Sequence, residues 1–249
     1  MAFVGKGGSG KSTTVGTVAR ALAASGEATV VLDSDVMPGL AGAMGIAPSD
    51  TGIPADAVEE VPDGDGPRWR LRAGLTAEDA VERYALRGPD GVLLLQFGKL
   101  RTEGAWSLSP SLHAFDQIKR ELPEQGWHVL GDLPGGTRQP FFGWADFASL
   151  VAVVVEPTVK SFVTARRLAR LAATRPSARV VAVANKVEGR GDAERVGRET
   201  GLEVVGVVPD DPAVRDADRA GVALADHAPD SPAALALRSL AEHLREVAP

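Results

Sequence analysis

The chain begins with a glycine-rich segment placed between a short buried strand and a helix. Residues 3–14 read FVGKGGSGKSTT, in which Gly5, Gly10, Lys11 and Ser12 fit the pattern G-x-x-x-x-G-K-[ST]. Glycines let backbone N–H groups turn toward one anion without Cβ clashes, and the helix that follows directs its positive end at the same point. We therefore expect a phosphate-binding loop in which Lys11 reaches the β- and γ-phosphates and Ser12 holds Mg²⁺.

Strands and helices alternate along the rest of the chain. Apolar segments that predict strands lie at residues 2–4, 28–33, 91–97, 127–132, 149–157, 178–185 and 203–208, with an edge strand at 68–73. Helices are predicted at residues 12–25, 39–44, 76–86, 109–122, 160–174 and 192–200, and two more toward the C-terminal end. Apart from its short helix, the segment 36–66 is expected to be loop. The alternation predicts an α/β fold in one domain, residues 1–249, with a mostly parallel sheet and helices on both faces.

Composition and charge restrict the function further. The net charge of −6 argues against a dominant nucleic-acid surface, although it leaves room for a local basic patch. The absence of cysteine removes disulfides, thiolate metal ligands and cysteine nucleophiles together. No apolar run is long enough to span a membrane, and the phosphate-loop motif begins where a signal peptide would lie. These features predict a cytoplasmic protein that does not insert into a membrane.

Acidic residues stand at the ends of two predicted strands. Asp33 ends the strand at 28–33 and Asp35 follows it, while Asp132 ends the strand WHVLGD directly before LPGG. Ligands of open parallel sheets bind at the carboxyl ends of the strands, so these carboxylates are expected to face the phosphate loop. Asp33 and Asp35 have an alternative role as caps of the short helix that follows.

Lys6 adds a second lysine to the loop and gives the pattern G-K-G-G-x-G-K-[ST]. This pattern resembles the deviant Walker A ATPases, a SIMIBI-like group of P-loop NTPases that includes MinD, ParA and the nitrogenase iron protein. The resemblance implies a homodimer that forms on ATP binding, in which Lys6 of one subunit reaches the nucleotide of the other. Such a cation stabilises charge on the transferring phosphoryl group only once the dimer has formed, as an arginine finger does. A solvated loop charge is the alternative role of Lys6.

The same resemblance implies roles for the residues of the loop and for the first acids. The residues that would bind the phosphates of ATP or ADP are Gly5, Gly7, Gly8, Ser9, Gly10, Lys11, Ser12 and Thr13. Lys6, Lys11 and Asp35 would be the catalytic residues, with Asp35 positioning the attacking water in the switch I segment. The family segment after this aspartate begins with proline, whereas here Pro38 is displaced, which leaves the geometry of switch I open.

The resemblance also implies a Mg²⁺ site and a second switch. Ser12, Asp33 and Asp132 would hold the ion, with Asp33 acting through water. The glycine pair Gly135 and Gly136 resembles switch II, where a backbone N–H group senses the γ-phosphate and releases the loop after hydrolysis. An ordinary turn between a strand and a loop is the alternative.

Two later segments supply residues for the base of the nucleotide. Asn185 and Lys186 stand at the end of the strand predicted at 178–185, and the sequence GVVPDD contains Pro209, Asp210 and Asp211. The resemblance implies that the Asn185 amide binds adenine, because its donor and acceptor match the N6/N7 edge of the base. It further implies that the proline and the two acids flank the base. The choice of ATP over GTP follows from the resemblance.

Residues 70–100 and 155–172 resemble the carbon monoxide dehydrogenase accessory, or CooC-type, branch of these ATPases. That branch carries a Cys-x-Cys motif that binds nickel or zinc at the dimer interface, but here residues 104–107 read GAWS. Alanine and serine cannot replace thiolate ligands, so no such metal site is predicted. Trp106 either contacts a dimer interface or packs within its own subunit.

These patterns predict an ATP-binding, slowly hydrolysing dimeric switch that acts on an unidentified client protein, as a maturation or assembly factor does. The first alternative is a positioning ATPase like ParA or MinD, which would need a basic stripe or tail. The mixed-charge C-terminal segment LRSLAEHLREVAP supplies no such tail, and Arg166, Arg167 and Arg170 are interpreted as a solvated helix face. The second alternative is a scaffold that holds nucleotide with little hydrolysis.

Overall fold

The computed structural model describes residues 1–34, 39–49, 52–61, 69–96, 108–136, 145–172 and 178–247. The strands in these ranges are β1 (Ala2–Gly5), β2 (Thr29–Asp33), β3 (Val58–Glu60), β4 (Trp69–Leu71), β5 (Leu86–Arg87), β6 (Leu93–Gln96), β7 (His128–Asp132), β8 (Leu150–Val155), β9 (Arg179–Val187) and β10 (Val204–Pro209). The α-helices are α1 (Lys11–Ala24), α2 (Leu40–Ala43), α3 (Ala77–Tyr84), α4 (Leu108–Glu121), α5 (Val159–Ala172), α6 (Arg190–Thr200), α7 (Pro212–Ala220), α8 (Leu224–His227) and α9 (Pro232–Val247). Strands and helices alternate over most of this order.

An eight-stranded sheet forms the centre of the molecule, with the strand order β10-β9-β8-β1-β7-β2-β6-β5. Neighbouring strands are parallel, except that the edge strand β5 is antiparallel to β6. The mostly parallel sheet predicted from the sequence is therefore confirmed. Because β7 lies between β1 and β2, the carboxyl ends of these three strands are adjacent, where ligands of such sheets bind.

Helices cover both faces of the sheet. Successive side chains of a strand point to opposite faces, so the apolar strands present apolar side chains to the helices on each face. On one face Val31, Leu94 and Leu130 pack with apolar residues of α1 and α9. On the other face Val30 and Leu95 pack with residues of α3 and α4, while β8 and β9 pack with α5 and α6. Every position of β8 is buried, which explains its uninterrupted apolar sequence.

Helix α3 begins with a capping box. The Thr76 hydroxyl accepts a hydrogen bond from the Asp79 backbone N–H at 3.0 Å, and the Asp79 carboxylate accepts one from the Thr76 backbone N–H at 3.3 Å. Two donors that no helical carbonyl reaches are thereby bonded. The helix ends at Tyr84, earlier than the predicted Leu86, because Leu86 pairs with β6 in strand β5.

The segment between α2 and α3 differs from the prediction. Strand β3 lies inside the predicted loop and pairs with β4 in a separate two-stranded antiparallel sheet. The predicted edge strand at 68–73 is therefore present as β4, but outside the main sheet. Val58 and Leu71 face each other across this pair, and both are buried. β3 was missed because its three residues lie in a segment rich in Gly, Pro and Asp, a composition typical of loops. The short helix α8 was likewise not predicted.

Candidate functional site

The phosphate-loop motif lies between β1 and α1, as predicted. Gly10, directly before the helix, has a φ of 87°, a left-handed conformation that favours glycine. A Cβ atom at this position would lie 2.3 Å from Asn185 Nδ2, so space also requires glycine. Gly8, with a φ of 79°, provides a second left-handed turn. The loop therefore turns sharply into the N-terminal end of α1, where the helix dipole stabilises an anion.

The segment after β7 packs directly on the phosphate loop. The Gly136 backbone N–H donates a 2.9 Å hydrogen bond to the Gly5 carbonyl. A Cβ atom at Gly135 would lie 2.9 Å from the Cα of Gly7 and 3.7 Å from the Nζ of Lys11. Lys11 itself is buried. Glycine at position 135 therefore lets this segment approach both the loop and the buried ammonium group.

Oxygen-bearing side chains meet at the carboxyl ends of β7 and β2. Ser12 Oγ donates a 2.7 Å hydrogen bond to Asp132 Oδ2. Asp33 lies beside Asp132 in the strand register, and both residues are buried. A hydroxyl and two carboxylates are ligands that suit Mg²⁺, either directly or through bound water. The three residues predicted to hold the metal are therefore brought together, and their chemistry fits the ion.

Lys6 lies at the rim of the loop, next to the acid that follows β8. Its Nζ is 3.9 Å from Glu156 Oε2 and donates a 3.3 Å hydrogen bond to the Gly7 carbonyl. The Lys6 side chain is 35% exposed, whereas that of Glu156 is 12% exposed. Lys186 Nζ also donates to Glu156, so one carboxylate pairs with two ammonium groups.

Two side chains of β9 contact the phosphate loop from the side. Asn185 Nδ2 donates a 2.8 Å hydrogen bond to the Ser9 carbonyl, and Lys186 Nζ donates one of 2.8 Å to the Gly8 carbonyl. Lys186 has a φ of 56°, in the left-handed region that non-glycine residues rarely adopt. The bonds of its ammonium group help to offset this unfavourable conformation. The two residues predicted for the base thus also fix the shape of the phosphate loop.

A cavity of about 140 Å³ opens beside the loop, between α1 and the end of β10. Its walls include Thr14, Asn185 and Pro209, together with the apolar side chains Val208 and Leu237. The Ser9 bond uses one hydrogen of the Asn185 amide, and the amide also carries a second hydrogen and an oxygen. An apolar slot with an amide in its wall suits a flat heterocyclic base.

Asp210 and Asp211 both line this cavity but have different partners. The Asp210 carboxylate pairs with Arg215 at 2.8 Å. Asp211 is buried and accepts hydrogen bonds from the backbone N–H groups of Ala213 and Ala233, at 2.9 and 3.0 Å. Burial raises the pKa of Asp211, but these N–H bonds, the Ser231 hydroxyl and the charge of Arg215 together outweigh it and leave its pKa below the ordinary value. Asp211 thus joins the first turns of α7 and α9 and fixes this wall of the cavity.

Some of the predicted residues lie outside the described residues, namely Asp35 and the segment 104–107 with Trp106. Within the ranges that the structure describes, no group of three or more His, Cys, Asp or Glu side chains could hold a metal ion. None of the helices in those ranges is long and apolar enough to cross a membrane.

Glu156 and Arg215 contact the site, although no motif predicts them. Glu156 directly follows a buried parallel strand, the same kind of position that Asp33 and Asp132 occupy at the ends of β2 and β7. An acid at such a strand end is a signal that would have identified it. Arg215 lies on α7, five residues after its partner Asp210, a spacing that is not a helical pair and gives no signal in the sequence.

The sequence of the chain matches a family model and resembles two proteins along most of its length. The model of the CobQ/CobB/MinD/ParA nucleotide binding domain matches residues 1–225. The carbon monoxide dehydrogenase accessory protein CooC of Rhodospirillum rubrum is 28% identical over 243 aligned residues, covering 92% of this chain and 90% of that protein. An uncharacterized ATP-binding protein of Methanocaldococcus jannaschii is 30% identical over 252 aligned residues, covering 96% of this chain and 84% of that protein.

The fold also matches a solved structure. The septum site-determining protein MinD of Pyrococcus horikoshii, complexed with Mg-ADP, has a TM-score of 0.68 and 18% identity, over 99% of this chain and 95% of that chain. At this identity the likeness shows the fold, which is the α/β fold described above. The family match includes the phosphate loop and both acidic strand ends. The chain therefore belongs to the CobQ/CobB/MinD/ParA nucleotide-binding family of P-loop ATPases, which use ATP or ADP with Mg²⁺.

Proposed function

We propose that the chain is a homodimeric switch that binds ATP with Mg²⁺, hydrolyses it slowly and acts on a client protein. Lys6 is the observation that carries this proposal. Its ammonium group lies at the rim of a loop that already contains the buried Lys11, and it pairs with Glu156. Lys11 is the cation placed for the phosphates of its own loop. The Lys6 side chain is partly exposed, which supports its proposed contact with a second copy of the chain.

Ser12, Asp132 and Asp33 are proposed to hold Mg²⁺. The bond between Ser12 and Asp132 supports this assignment, because the hydroxyl and the carboxylate already converge on one point. When bound, the ion neutralises charge on the β- and γ-phosphates and fixes their orientation. The buried position of Asp33 beside Asp132 suits it to accept hydrogen bonds from water around the ion.

Charge on the transferring phosphoryl group is proposed to be stabilised from two sides. Lys11 and the backbone N–H groups of the loop act within one subunit, and Lys6 of the second copy completes the set. Asp35 is proposed to position the attacking water. Because the second lysine arrives only in the dimer, hydrolysis would be coupled to association.

The segment after β7 is proposed to report which nucleotide is bound. Gly135 already lies close to Lys11, and the Gly136 N–H is bonded to the Gly5 carbonyl. A γ-phosphate at Lys11 would compete for N–H groups of this segment, whereas a diphosphate would not reach them. The segment would therefore change position after hydrolysis, and a bound client could read that change.

The base is proposed to be adenine, bound in the cavity beside the loop. Asn185 would contact its edge, while Lys186, Pro209, Asp210 and Asp211 surround it. The apolar walls support this assignment, as does the Asn185 amide, whose second hydrogen and oxygen are not used in its bond to Ser9.

A maturation or assembly role is proposed from the relative that is described as an accessory protein of carbon monoxide dehydrogenase. The present chain contains no cysteine, so it cannot carry nickel or zinc on thiolates. What it supplies to the client is therefore proposed to be a nucleotide-dependent change of shape.

ATP turnover at increasing protein concentration tests this function. The rate per subunit of the wild type is expected to rise with concentration, because the active site is complete only in the dimer. Lys6→Ala is expected to lower turnover by about 10³-fold, in the range found for cations supplied in trans. Arg83→Ala is the control. It also removes an exposed cation, but from α3, which lies on the face of the sheet opposite to α1, so turnover is expected to stay unchanged.

A rate that does not depend on protein concentration and is unaffected by Lys6→Ala would contradict the dimeric switch. ATP binding without turnover at any concentration, with Asp35→Asn as the inactive reference, would instead favour a nucleotide-holding scaffold. Light scattering with ADP and with a non-hydrolysable ATP analogue measures the association directly, and the analogue is expected to give the dimer.

A further inference from the structure

Gln96 ends β6 and extends the row of polar residues at this edge of the sheet. In the strand register Asp33 pairs with Asp132 on one side and with Gln96 on the other. Leu94, two residues earlier, packs against α1, so the alternation of side chains places Gln96 on the same face. Ser12, at the start of α1, bonds to Asp132. Asp132, Asp33 and Gln96 thus form a row on the side of the sheet that carries the phosphate loop.

The amide of Gln96 is buried, yet it makes no hydrogen bond to any residue that the structure describes. The residue is 4% exposed, and both Oε1 and Nε2 lack a partner. The buried hydroxyls of Ser9 and Thr17 also lack a hydrogen-bond partner. Gln96 differs because, among the described residues, both the nitrogen and the oxygen of its amide are without one. A buried amide with two donors and an acceptor is unfavourable when unbonded. Such a group in a functional site calls for a ligand or an ordered water.

We propose that Gln96 is a positioning residue that holds a water molecule between itself and Asp33, in the outer shell of Mg²⁺. Two strand spacings of about 4.8 Å separate β6 from β7, so Gln96 is too distant to ligate an ion held by Ser12 and Asp132. A water molecule can accept a hydrogen bond from the Gln96 amide and donate one to the Asp33 carboxylate. This arrangement forms when Mg²⁺ is bound: it orients Asp33 toward the ion and gives the buried amide the partner that it lacks in the nucleotide-free protein. Because the Mg²⁺ site belongs to the proposed function, the inference rests on it.

The variant Gln96→Met separates this role from a purely structural one. Methionine has similar length and no amide, so the nucleotide-free protein is expected to unfold at a higher temperature than the wild type, because an unbonded buried group has been removed. The Mg²⁺ concentration that half-saturates Mg-dependent ADP binding is expected to rise about 10-fold, as for other outer-shell partners of a metal. Calorimetric titration of ADP at fixed Mg²⁺ concentrations measures this, and it does not depend on turnover.

Gln117→Met is the matched control. Gln117 lies on α4 and its amide is bonded, accepting from the Leu71 N–H and donating to Glu121, each at 2.8 Å. Its replacement is expected to lower the unfolding temperature and to leave the Mg²⁺ dependence unchanged. The inference is overturned if Gln96→Met leaves the Mg²⁺ dependence unchanged, or if it lowers the unfolding temperature, which would mean that the protein itself bonds the amide.

A measurement on the wild type covers the case in which the variant does not fold. The side-chain amide resonances of Gln96 are expected to shift when Mg²⁺ is added to the ADP complex, and to stay in place when Mg²⁺ is added without nucleotide. Unchanged resonances in the Mg-ADP complex would refute the water bridge. If the wild type does not bind ADP in the presence of Mg²⁺, the proposed function fails first, and the two failures are thereby distinguished.

Discussion

Asn185 and Lys186 each belong to two parts of the site. Their side chains bond to carbonyls of the phosphate loop, and both residues also line the cavity beside it. The sequence predicts their place at the end of a strand, because the motif and its position can be read locally. Their bonds to the loop could not be predicted, because these join residues that are far apart in the chain. The pairing of Glu156 with Lys6 was missed for the same reason.

Asp211 should stabilise the fold through the two N–H groups that it accepts. The variant Asp211→Ala is expected to lower the free energy of unfolding by about 2 kcal/mol at pH 7, as for a lost helix cap with a second buried bond. Urea unfolding followed by circular dichroism measures the difference. Asp216→Ala, on the exposed face of the same helix, is the control and should change the free energy by less than about 0.5 kcal/mol.

The contribution of Asp211 should also depend on pH. Its folded pKa lies below its unfolded pKa, so the stabilisation is complete above the ordinary value of about 4 and is lost as the pH falls through the lower folded pKa. The gap in free energy between the wild type and Asp211→Ala is therefore expected to narrow below about pH 4. A gap that stays constant down to pH 3 would show that the carboxylate charge does not contribute.

At the scale of helices and strands, the long elements were predicted, whereas three short ones, β3, β5 and α8, were not. β8 and α1 have enough residues for an apolar run or a helical period to appear, and their bounds agree with the prediction within a few residues. The position of β7 between β1 and β2 could not be read from the sequence, since periodicity reports burial and not pairing. That position brings Asp132 next to Asp33, so a part of the site depends on the order of the strands.

Helix α3 should depend on its capping box. Thr76→Ala removes the acceptor for the Asp79 N–H and is expected to lower the free energy of unfolding by about 1 kcal/mol. The comparison variant is Thr164→Ala on α5, which removes a hydroxyl that donates an exposed hydrogen bond to the Lys160 carbonyl in the preceding turn. It is expected to be nearly neutral, because that carbonyl keeps its helical partner. Equal losses in the two variants, measured by thermal unfolding, would contradict the assignment of the cap.

At the scale of the whole molecule, the proposed dimer can be tested by mixing two inactive variants. In the proposed mechanism, Lys6→Ala lacks the cation that reaches the partner's nucleotide, and Asp35→Asn lacks the group that positions water in its own site. In a mixed dimer, the site on the Lys6→Ala subunit has its own Asp35 and receives Lys6 from the Asp35→Asn subunit. The other site lacks both groups. Equal amounts of the two proteins, paired at random, are therefore expected to recover about a quarter of the wild-type turnover. If Lys6 acts within its own subunit, the mixture will stay as inactive as its components.

The pairing of Lys6 with Glu156 has a consequence for how two copies meet. An ion pair at 3.9 Å with one partly exposed partner contributes about 1 kcal/mol or less, so it is readily exchanged for another. In a copy without a triphosphate, the charge of this lysine is partly offset by a carboxylate that it shares with Lys186, which lowers the gain when a second copy approaches. The denser negative charge of a triphosphate on the opposite subunit can outcompete one carboxylate. Recognition between identical molecules would then depend on a competition between two anions for the ammonium group of Lys6. One is Glu156 of the same subunit, and the other is the triphosphate on the opposite subunit.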